Sequence, residues 1–588
     1  MKKLFRGGRR KAAVVMAVAL VVSLSQVAPS SAAPSAKKSG GSITVGVANL
    51  LLSTCLSPNA SNSALGIMKT VYEGWVEKRE DGRYVPFLAE AVTPSADFMS
   101  WTIKIRPGIK FHDGTSLDVA TALTGIQVGR GLYFLGAVGK GVPRANVLHT
   151  LGSGIPFSAN IKNATAVTTD SFKIDLWEPQ TDFLATLYAS GRNFVRAASD
   201  YSNSVQCATS GKGTGPFKFE SVSPEKTVVV KNANYWRKDK AGEQLPYLDK
   251  ITFQYVNQPT QRVNGLKSGK LDAAQFSNAG EIKQILSAQA LPNVSMIDSG
   301  YKYYPMTVLN TAIEPFNNRN ARLAVVHAFD QETYFKQRYC FKGTCLGQLP
   351  TSAVGPSNVG YVKAGFPKYD LAKAKEYVAA YKKDTGKDLI YTVPADTSAE
   401  AQANAKAAQQ IMKKAGITMN ISTEDTATIT QKAFPAPGSG LTNPYQAYPT
   451  LLFEGDGVEF TFPFMVRNMF LTPNNKIDTQ VGGKAGAGYL TLLSFGSLIN
   501  PGRLSDAALD AAVFAAWYDT TSGRNAKIKA AMRYYQENAF SLHGTHLAYF
   551  TGVSNKLKGW DTFFLASGGR GIPMTNAGLN YSGVYIEK

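Results

Sequence analysis

The segment at residues 70–123 carries a dense structural signal: TVYEGWVEKREDGRYVPFLAEAVTPSADFMSWTIKIRPGIKFHDGTSLDVATAL. Within it Trp101, Ile103 and Ile105 alternate with polar residues, the period of two that predicts a strand. The Asp-Gly pair at 113–114 predicts a tight turn, after which Thr115 or Ser116 can cap a helix. The neighbouring side chains of His112 and Asp113 raise the question whether this turn does chemistry or belongs to a scaffold.

Strand–helix–strand units follow in the second half of the chain. Residues 369–386 have helical spacing and 388–393 read as a strand. Residues 398–423 then read as a helix, a glycine stop and another strand. Units of this kind predict an α/β domain with a partly parallel sheet.

The composition is that of a large globular protein with a net positive charge. The 588 residues are 44% hydrophobic and 18% charged, enough apolar mass for more than one core. The formal charge is +21, of which six positive charges lie in the first 32 residues and +15 remain for the rest. This net positive charge fits three interpretations: a dispersed basic surface, proximity to anionic cell wall or lipid, or an anionic ligand. No compact basic run with interleaved aromatics indicates nucleic-acid binding.

The N-terminus predicts export. A basic start is followed by an apolar run, Ala12–Leu24, that is short for a membrane span. Small residues then end at Ala32, so residues 1–32 are interpreted as a signal peptide cleaved after Ala32. No cysteine closely follows the apolar run, so no lipid anchor is evident. We expect a periplasmic, extracellular or cell-wall-associated protein.

Four cysteines, Cys55, Cys207, Cys340 and Cys345, are an even number in an exported chain and predict disulfides. Three pairings are open. Cys340 and Cys345 in CFKGTC could close a tight loop, which would leave Cys55 for Cys207. Zinc is the rival interpretation, but it needs four close ligands and no histidine lies near these cysteines in sequence.

Catalytic signatures are weak. His543 and His546 form an H-x-x-H pattern without the glutamate of a zinc protease, and no G-x-S-x-G elbow occurs. The glycine-rich GKGTGPFK does not fit a phosphate-binding loop. We therefore expect no catalytic residue, no metal and no cofactor.

Several segments in order resemble the family 5 extracellular solute-binding proteins, the dipeptide, oligopeptide and nickel receptors of ABC importers. Besides residues 70–123, the segments that carry the resemblance are GTGPFKF (213–219), NANYW (232–236), LPYLDKITFQYV (245–256), LKSGKLDAA (266–274), LNTAIEPFNNRNARLAVVHAFDQETYF (309–335), YDLAKAKEYV (369–378), KKAGITMNI (413–421) and KLKGW (556–560). The resemblance covers nearly the whole chain after the leader. Each motif alone is unspecific, but the occurrence of all of them in the same order is specific to the family.

The resemblance implies an α/β, two-lobed periplasmic-binding-protein-like fold of type II, with an extra domain inserted in the first lobe. The implied domains are lobe I at 33–70, 211–304 and 551–588, the inserted domain at 71–210, and lobe II at 305–550. The two lobes would close on a ligand by a hinge motion, and Tyr303, Tyr304 and Pro305 lie where one crossover should run. The turn with His112 and Asp113 would be scaffold in the inserted domain, away from the ligand.

The resemblance also suggests binding residues. Peptide receptors of the family use a carboxylate in lobe II for the ligand's α-ammonium group, and in TLLFEGDGVEFTFPF (450–464) Asp456 best matches it. Further candidates for the ligand site are Glu454, Phe453 and Tyr445, and in the loop after the first strand Asn59, Ser61, Asn62 and Ser63. The alternatives are a plain turn aspartate, core aromatics and a solvent-facing loop. The arginine that some dipeptide receptors use for the ligand carboxylate has no counterpart in 393–402.

The function implied is that of an exported receptor that delivers a peptide to an ABC importer. Its partners would be the ligand and the permease, and the permease would be its link to the membrane. We expect the protein to be a monomer and not to bind nucleic acid. The alternatives are a receptor of the same fold for an oligosaccharide or another small solute, and a secreted enzyme or wall-associated interaction protein built on this scaffold.

Overall fold

The computed structural model describes residues 39–49, 51, 54, 62–129, 160–188, 191, 193–202, 207, 209–276, 279–433, 443–452, 502–504, 506–575 and 578–587. The strands of these residues are β1 (Ser42–Val47), β2 (Val76–Lys78), β3 (Tyr84–Pro86), β4 (Ala89–Pro94), β5 (Ser100–Ile105), β6 (Ile161–Ala166), β7 (Ser171–Leu176), β8 (Phe217–Val222), β9 (Lys226–Lys231), β10 (Lys250–Tyr255), β11 (Ala273–Phe276), β12 (Val294–Asp298), β13 (Tyr304–Leu309), β14 (Cys340–Phe341), β15 (Thr344–Cys345), β16 (Ile390–Asp396), β17 (Thr418–Glu424), β18 (Ala447–Leu452), β19 (Ser541–His543), β20 (Phe550–Ser554), β21 (Leu557–Lys558), β22 (Met574–Thr575), β23 (Gly578–Leu579) and β24 (Tyr585–Ile586).

The α-helices of the same residues are α1 (Asn62–Val71), α2 (Val119–Gly129), α3 (Phe183–Tyr188), α4 (Ala198–Ser202), α5 (Pro259–Ser268), α6 (Ile282–Gln289), α7 (Arg319–Ala328), α8 (Gln331–Tyr339), α9 (Leu371–Thr385), α10 (Ala399–Lys413), α11 (Thr426–Ala433), α12 (Ala507–Trp517) and α13 (Arg524–Glu537). None of the helices in the described part of the chain combines the length and apolarity needed to cross a membrane.

The strand predicted at 100–105 is β5, and the helix predicted after the Asp-Gly turn is α2. The predicted cap is wrong by two or three residues, because Asp118 Oδ1 accepts the backbone N–H of Thr121 at 2.8 Å. A carboxylate accepting at this position satisfies one of the unpaired N–H groups of the first helical turn. Thr115 instead donates to Asp113 and serves the turn.

A seven-stranded sheet has the order β12-β20-β11-β1-β10-β9-β8. β1 runs parallel to both of its neighbours, β10 and β11, and the other pairs are antiparallel. Its strands come from the beginning, the middle and the end of the described chain, so this lobe is discontinuous in sequence. Its core includes Val45, Ile251 and Val553, each almost fully buried.

A separate four-stranded antiparallel sheet has the order β4-β5-β7-β6. It has a core of its own in which Trp75 and Phe172 meet edge to face with ring centroids 5.3 Å apart. Phe563 and Leu565, from the C-terminal segment, join this core and attach it to the lobe of the large sheet.

The other lobe contains the strand–helix–strand unit predicted from the sequence. β16 and β17 pair in parallel, with α10 as the connection between them. β13 pairs antiparallel with β18 and β19 in a three-stranded sheet. α7, α9 and α10 share one apolar core with β16 and β17, and α12 and α13 share another with β13.

The chain crosses between the two lobes from β12 to β13 and returns from β19 to β20. The two crossing segments are bonded to each other, because Tyr303 and Leu547 exchange backbone hydrogen bonds of 3.2 and 2.8 Å. Tyr303 N donates the longer bond and Leu547 N the shorter one. Ser299 and Tyr549 add two further bonds of 3.0 Å. Paired segments of this kind are the point about which two lobes can rotate.

Candidate functional site

A cavity of about 450 Å³ lies in the second lobe beside the two crossing segments. Residues of β13, together with the residue before this strand, build one wall of the cavity. Tyr303, Pro305 and Thr307 line the cavity, whereas Tyr304 and Val308 point into the core shared with α12 and α13. Tyr549 of the returning segment lines the cavity as well. The cavity is therefore in contact with the parts of the chain that must bend when the lobes move.

Two carboxylates lie at the opposite wall, where β16 ends and α10 begins. Asp396 Oδ1 accepts the backbone N–H of Ser398 at 2.8 Å, and Ser398 Oγ accepts that of Ala401 at 3.2 Å as the cap of α10. Glu400 is in the first turn of this helix, where the helix dipole favours negative charge. Asp396, Ser398 and Glu400 all line the cavity.

Four aromatic side chains contribute to the rest of the surface. Phe329, Tyr334, Tyr339 and Tyr448 line the cavity. Burial, the largest cause, raises the pKa of Tyr334 to about 12 and that of Tyr448 to about 12, and it raises the pKa of Tyr339 as well. These phenols therefore stay neutral at physiological pH, and because Tyr334 and Tyr339 are hydrogen-bonded to each other, one donor of that pair is already used.

The first lobe presents an unpartnered amide. Gln275 of β11 is fully buried, and among the described residues neither its Oε1 nor its Nε2 has a hydrogen-bond partner. Thr551 pairs with it across β20, is fully buried too, and its Oγ1 has no partner. Burying a primary amide without partners costs free energy, so both groups are available to a molecule that reaches them.

The candidates from the sequence are only partly within the described residues. Phe453, Glu454, Asp456, Asn59 and Ser61 lie outside them. Asn62 and Ser63 begin α1, and their side chains are outside the description. Their roles in binding stay predictions.

Tyr445 lies next to the cavity wall without lining it. Its hydroxyl donates to Glu424 Oε1 at 2.9 Å, and its ring is buried with Ile429 and Ala433. The neighbouring Tyr448, whose ring centroid is 6.5 Å away, lines the cavity. Tyr445 therefore supports the ring of Tyr448 in this structure, and its own contact with a ligand stays a prediction.

The disulfide predicted between Cys340 and Cys345 is confirmed, and it closes the hairpin of β14 and β15. Cys207 is buried and disulfide-bonded, and Cys55 lies outside the described residues. In the described part of the chain no three His, Cys, Asp or Glu side chains are placed to hold a metal ion.

The geometry of His112 and Asp113 is that of a scaffold. His112 Nδ1 accepts the backbone N–H of Gly213 at 3.3 Å, so Nε2 carries the proton and donates to the Gly215 carbonyl at 3.0 Å. Asp113 accepts from Thr115 and from Ser199. The two bonds of the imidazole reach the GTG turn at 213–215, and they leave His112 no free ring nitrogen for chemistry.

Sequence reasoning missed Asp396 and Glu400, which line the cavity, and the buried amide of Gln275, which lies in the first lobe and does not line it. The segment 393–402 contains no arginine or lysine, but it contains the carboxylates of Asp396 and Glu400. The sequence does contain a pattern that could have indicated them: Ser398 is a helix-capping residue, and Glu400 follows it in the first helical turn. This pattern places acidic side chains at the start of a helix directly after a strand. Gln275 has no local signal, because its burial depends on α1 and on the last strands of the chain.

The family model described as "Bacterial extracellular solute-binding proteins, family 5 Middle" matches residues 83–455. The glutathione-binding protein GsiB of Escherichia coli O1:K1 / APEC is 24% identical over 357 residues, which cover 57% of this chain and 64% of that protein. The GsiB of Pectobacterium atrosepticum is 25% identical over 395 residues, covering 66% and 70%. The chain thus spans just under two thirds of the length of the first of these relatives.

Two solved structures show the same fold. The periplasmic binding protein DppA from Helicobacter pylori, in complex with the peptide STSA, superposes with a TM-score of 0.72 at 19% identity and covers 94% of this chain and 99% of its own. AgaA from A. tumefacien R10, in complex with agropinic acid, gives 0.71 at 20% identity, covering 93% and 99%. They confirm the two-lobed α/β fold of type II. The match of the family model over more than half of the sequence shows that this chain belongs to the bacterial extracellular solute-binding proteins of family 5.

Proposed function

We propose that the protein is an exported receptor that closes two lobes around a peptide and hands it to the permease of an ABC importer. The observation that carries the proposal is the position of the cavity, directly beside the two paired segments at Tyr303 and Leu547 that connect the lobes. A ligand held there touches the residues that must move, so binding and closure are coupled. Members of this family are exported solute receptors, and relatives named for glutathione and for peptides favour a peptide ligand.

The chemistry of the described site suits a peptide that carries an amino group. Asp396 and Glu400 offer negative charge at one wall of the cavity, and the neutral phenols offer hydrogen-bond donors. Outside the cavity, the buried amide of Gln275 in the first lobe has a donor and an acceptor without a partner among the described residues, the pair that a peptide bond complements. Asp456 is proposed as the carboxylate for the α-ammonium group, where a charge-assisted hydrogen bond contributes about 1.5–3 kcal/mol. No catalytic role and no cofactor are proposed.

The proposed organisation follows the predicted boundaries. Residues 1–32 are the export signal, 71–210 the inserted domain and 305–550 the second lobe, and the remaining segments form the first lobe. The receptor would act as a monomer and reach the membrane through the permease.

The test begins with the molecule that the protein retains. Native mass spectrometry on protein purified without denaturation, followed by denaturing release, should detect a set of di- to tetrapeptides. Titration with a synthetic pool of such peptides should then show that Asp456→Asn and Asp396→Asn each weaken binding. The matched control is Asp388→Asn, which removes an exposed carboxylate paired with Lys382 on the same lobe. Protein that retains no small solute, binds no peptide of the pool and shows no lobe closure would refute the proposal.

One observation favours a second candidate. The cavity is rich in aromatic rings, which are platforms for sugar rings as well as for peptide side chains. A single oligosaccharide or other compound released in the same experiment would assign the protein to a dedicated receptor for that solute. Asp396 and Asp456 would then lose their proposed role.

A further inference from the structure

An ion pair joins the inserted domain to the second lobe. Arg524 Nη2, at the start of α13, lies 2.5 Å from Asp182 Oδ2, directly before α3. The two side chains are 13% and 18% exposed, so the charges are largely removed from water. Neither residue lies on a crossing segment, and 342 positions separate them in the sequence.

Other groups meet at the same contact. Tyr518, in the turn between α12 and α13, is half-buried. Loss of solvent raises its pKa, and the charges of Glu178 and Asp182 raise it further. Its ring stacks on that of Trp517 with centroids 5.5 Å apart. Acidic side chains of the inserted domain thus face a cation and stacked rings of the second lobe, an arrangement complementary in charge.

Several hydrogen bonds fasten the inserted domain to the first lobe. Glu73 accepts hydrogen bonds from Thr214, Tyr235 and Trp236 of the first lobe. His112 is bonded to the GTG turn of the same lobe. The inserted domain and the first lobe therefore move as one body when the lobes open.

In the part of the chain that the structure describes, contacts between the lobes include two groups. One group adjoins the crossing segments: Phe335 and Tyr339 pack against the core of the first lobe, and Lys283 lies over the ring of Phe341 at 5.2 Å. The other is the contact of Asp182 with Arg524. Rotation about the crossing segments moves the atoms beside them little and more remote atoms further, so the contact of Asp182 with Arg524 is the one we expect to separate.

We propose that the Asp182–Arg524 pair forms when the lobes are closed and determines ligand affinity without touching the ligand. The inference rests on the proposed function for its role in affinity. The apparent dissociation constant equals the intrinsic one divided by the closed fraction, so a contact made only in the closed state tightens binding. Partly buried charges are screened less by salt than exposed ones, so the pair acts at physiological ionic strength.

The experiment follows lobe separation and peptide binding in parallel. Spin labels are attached at Val167→Cys on the inserted domain and Lys414→Cys on the second lobe, both exposed positions. Electron–electron distance distributions are measured without peptide and with the synthetic pool of di- to tetrapeptides. The labelled parent is compared with Arg524→Gln, Asp182→Asn, the double variant and the exchange of Asp182→Arg with Arg524→Asp. The control is Lys529→Gln, an exposed cation on the same helix.

We expect each single variant to lower the ratio of closed to open protein by about three- to thirtyfold and to weaken peptide binding by the same factor. The double variant should do no more than either single one, because both remove the same contact. The exchange should restore part of the closed population and so show that the variants fold, and Lys529→Gln should match the parent.

Distance distributions identical to the parent's in both single variants, or single effects that add in the double variant, overturn the inference. Peptide binding at parental affinity in these variants refutes the ion pair's role and leaves the proposed function standing. A distance distribution that responds to the variants in a protein that binds no peptide supports the contact and refutes the proposed function instead.

Discussion

Tyr303 and Tyr549 meet edge to face with ring centroids 4.2 Å apart and an interplanar angle of 89°. One ring belongs to each of the two segments that connect the lobes, and both rings line the cavity. The same pair of side chains therefore holds the crossing segments together and forms part of the candidate ligand site. A change there acts on stability and on binding at once.

Tyr549→Ala should lower the free energy of unfolding by about 3 kcal/mol, because it removes a buried ring and leaves a cavity beside Tyr303. Tyr549→Phe keeps the edge-to-face contact and should cost much less. Urea unfolding followed by tryptophan fluorescence measures both variants. A loss below about 1 kcal/mol for the alanine variant would show that the rings do not stabilise the crossing segments.

Glu73 should make the protein less stable as the pH rises. Burial raises its pKa to about 7, against the lowering effect of hydrogen bonds from Tyr235, Trp236 and Thr214. The folded state therefore binds more protons than the unfolded state between about pH 4.5 and pH 7, and stability falls through that range. Glu73→Gln removes the titration, so relative to the parent it should gain about 2 kcal/mol between pH 5 and pH 8.

The matched variant is Glu73→Ala, which leaves the three donors without an acceptor and should cost about 3 kcal/mol at pH 5. Guanidinium unfolding at pH 5, 6, 7 and 8 gives all of these differences. A constant difference between Glu73→Gln and the parent across this range would mean that the carboxyl of Glu73 does not titrate there.

His112 should contribute stability that is lost in acid. Burial, the largest cause, lowers its pKa to about 4, whereas the unfolded state takes up the proton near pH 6.5. A depressed histidine pKa stabilises the fold above the unfolded pKa, and this stability is lost as the pH falls from about 6.5 to about 4. His112→Ala should destabilise by about 1–2 kcal/mol at pH 7, because it breaks the bonds to Gly213 and Gly215.

That penalty should shrink by about 2 kcal/mol between pH 7 and pH 5, since the parent loses stability there and the variant has no imidazole to protonate at this position. Unfolding curves for both proteins at the two pH values provide the measurement. An equal penalty at both would show that the imidazole keeps an ordinary pKa in the folded state.

Gln275→Met should raise the free energy of unfolding of the peptide-free protein by about 1 kcal/mol, because methionine has a similar shape and no unpaired polar atoms. The same change should weaken peptide binding if the amide serves the ligand. Thermal unfolding and calorimetric titration with the peptide pool separate the two effects. Gln254→Met is the control, since that amide already donates to the Glu225 carbonyl at 3.0 Å; equal behaviour of the two variants would argue against a ligand role for Gln275.

Local features of the fold were predictable from the sequence. The alternation at 100–105 predicted β5 because neighbouring side chains on a strand point to opposite faces. The spacing in 398–423 predicted α10 and β17, since both patterns depend on residues only a few positions apart. The pairing of Cys340 with Cys345 also lies within reach of local reasoning, as five positions separate them.

The relationships between distant residues were decided by the tertiary structure alone. Asp182 meets Arg524, and Gln275 loses every hydrogen-bond partner, because of how separate elements pack. The position of Tyr445 behind Tyr448 has the same origin. The sequence by itself determined the family and several local elements, and it offered the Cys340–Cys345 hairpin as one of three pairings. The tertiary structure decides which charges meet and which amide stays unpaired. These contacts join residues hundreds of positions apart, and the periodicity of neighbouring residues in the sequence carries no information about them.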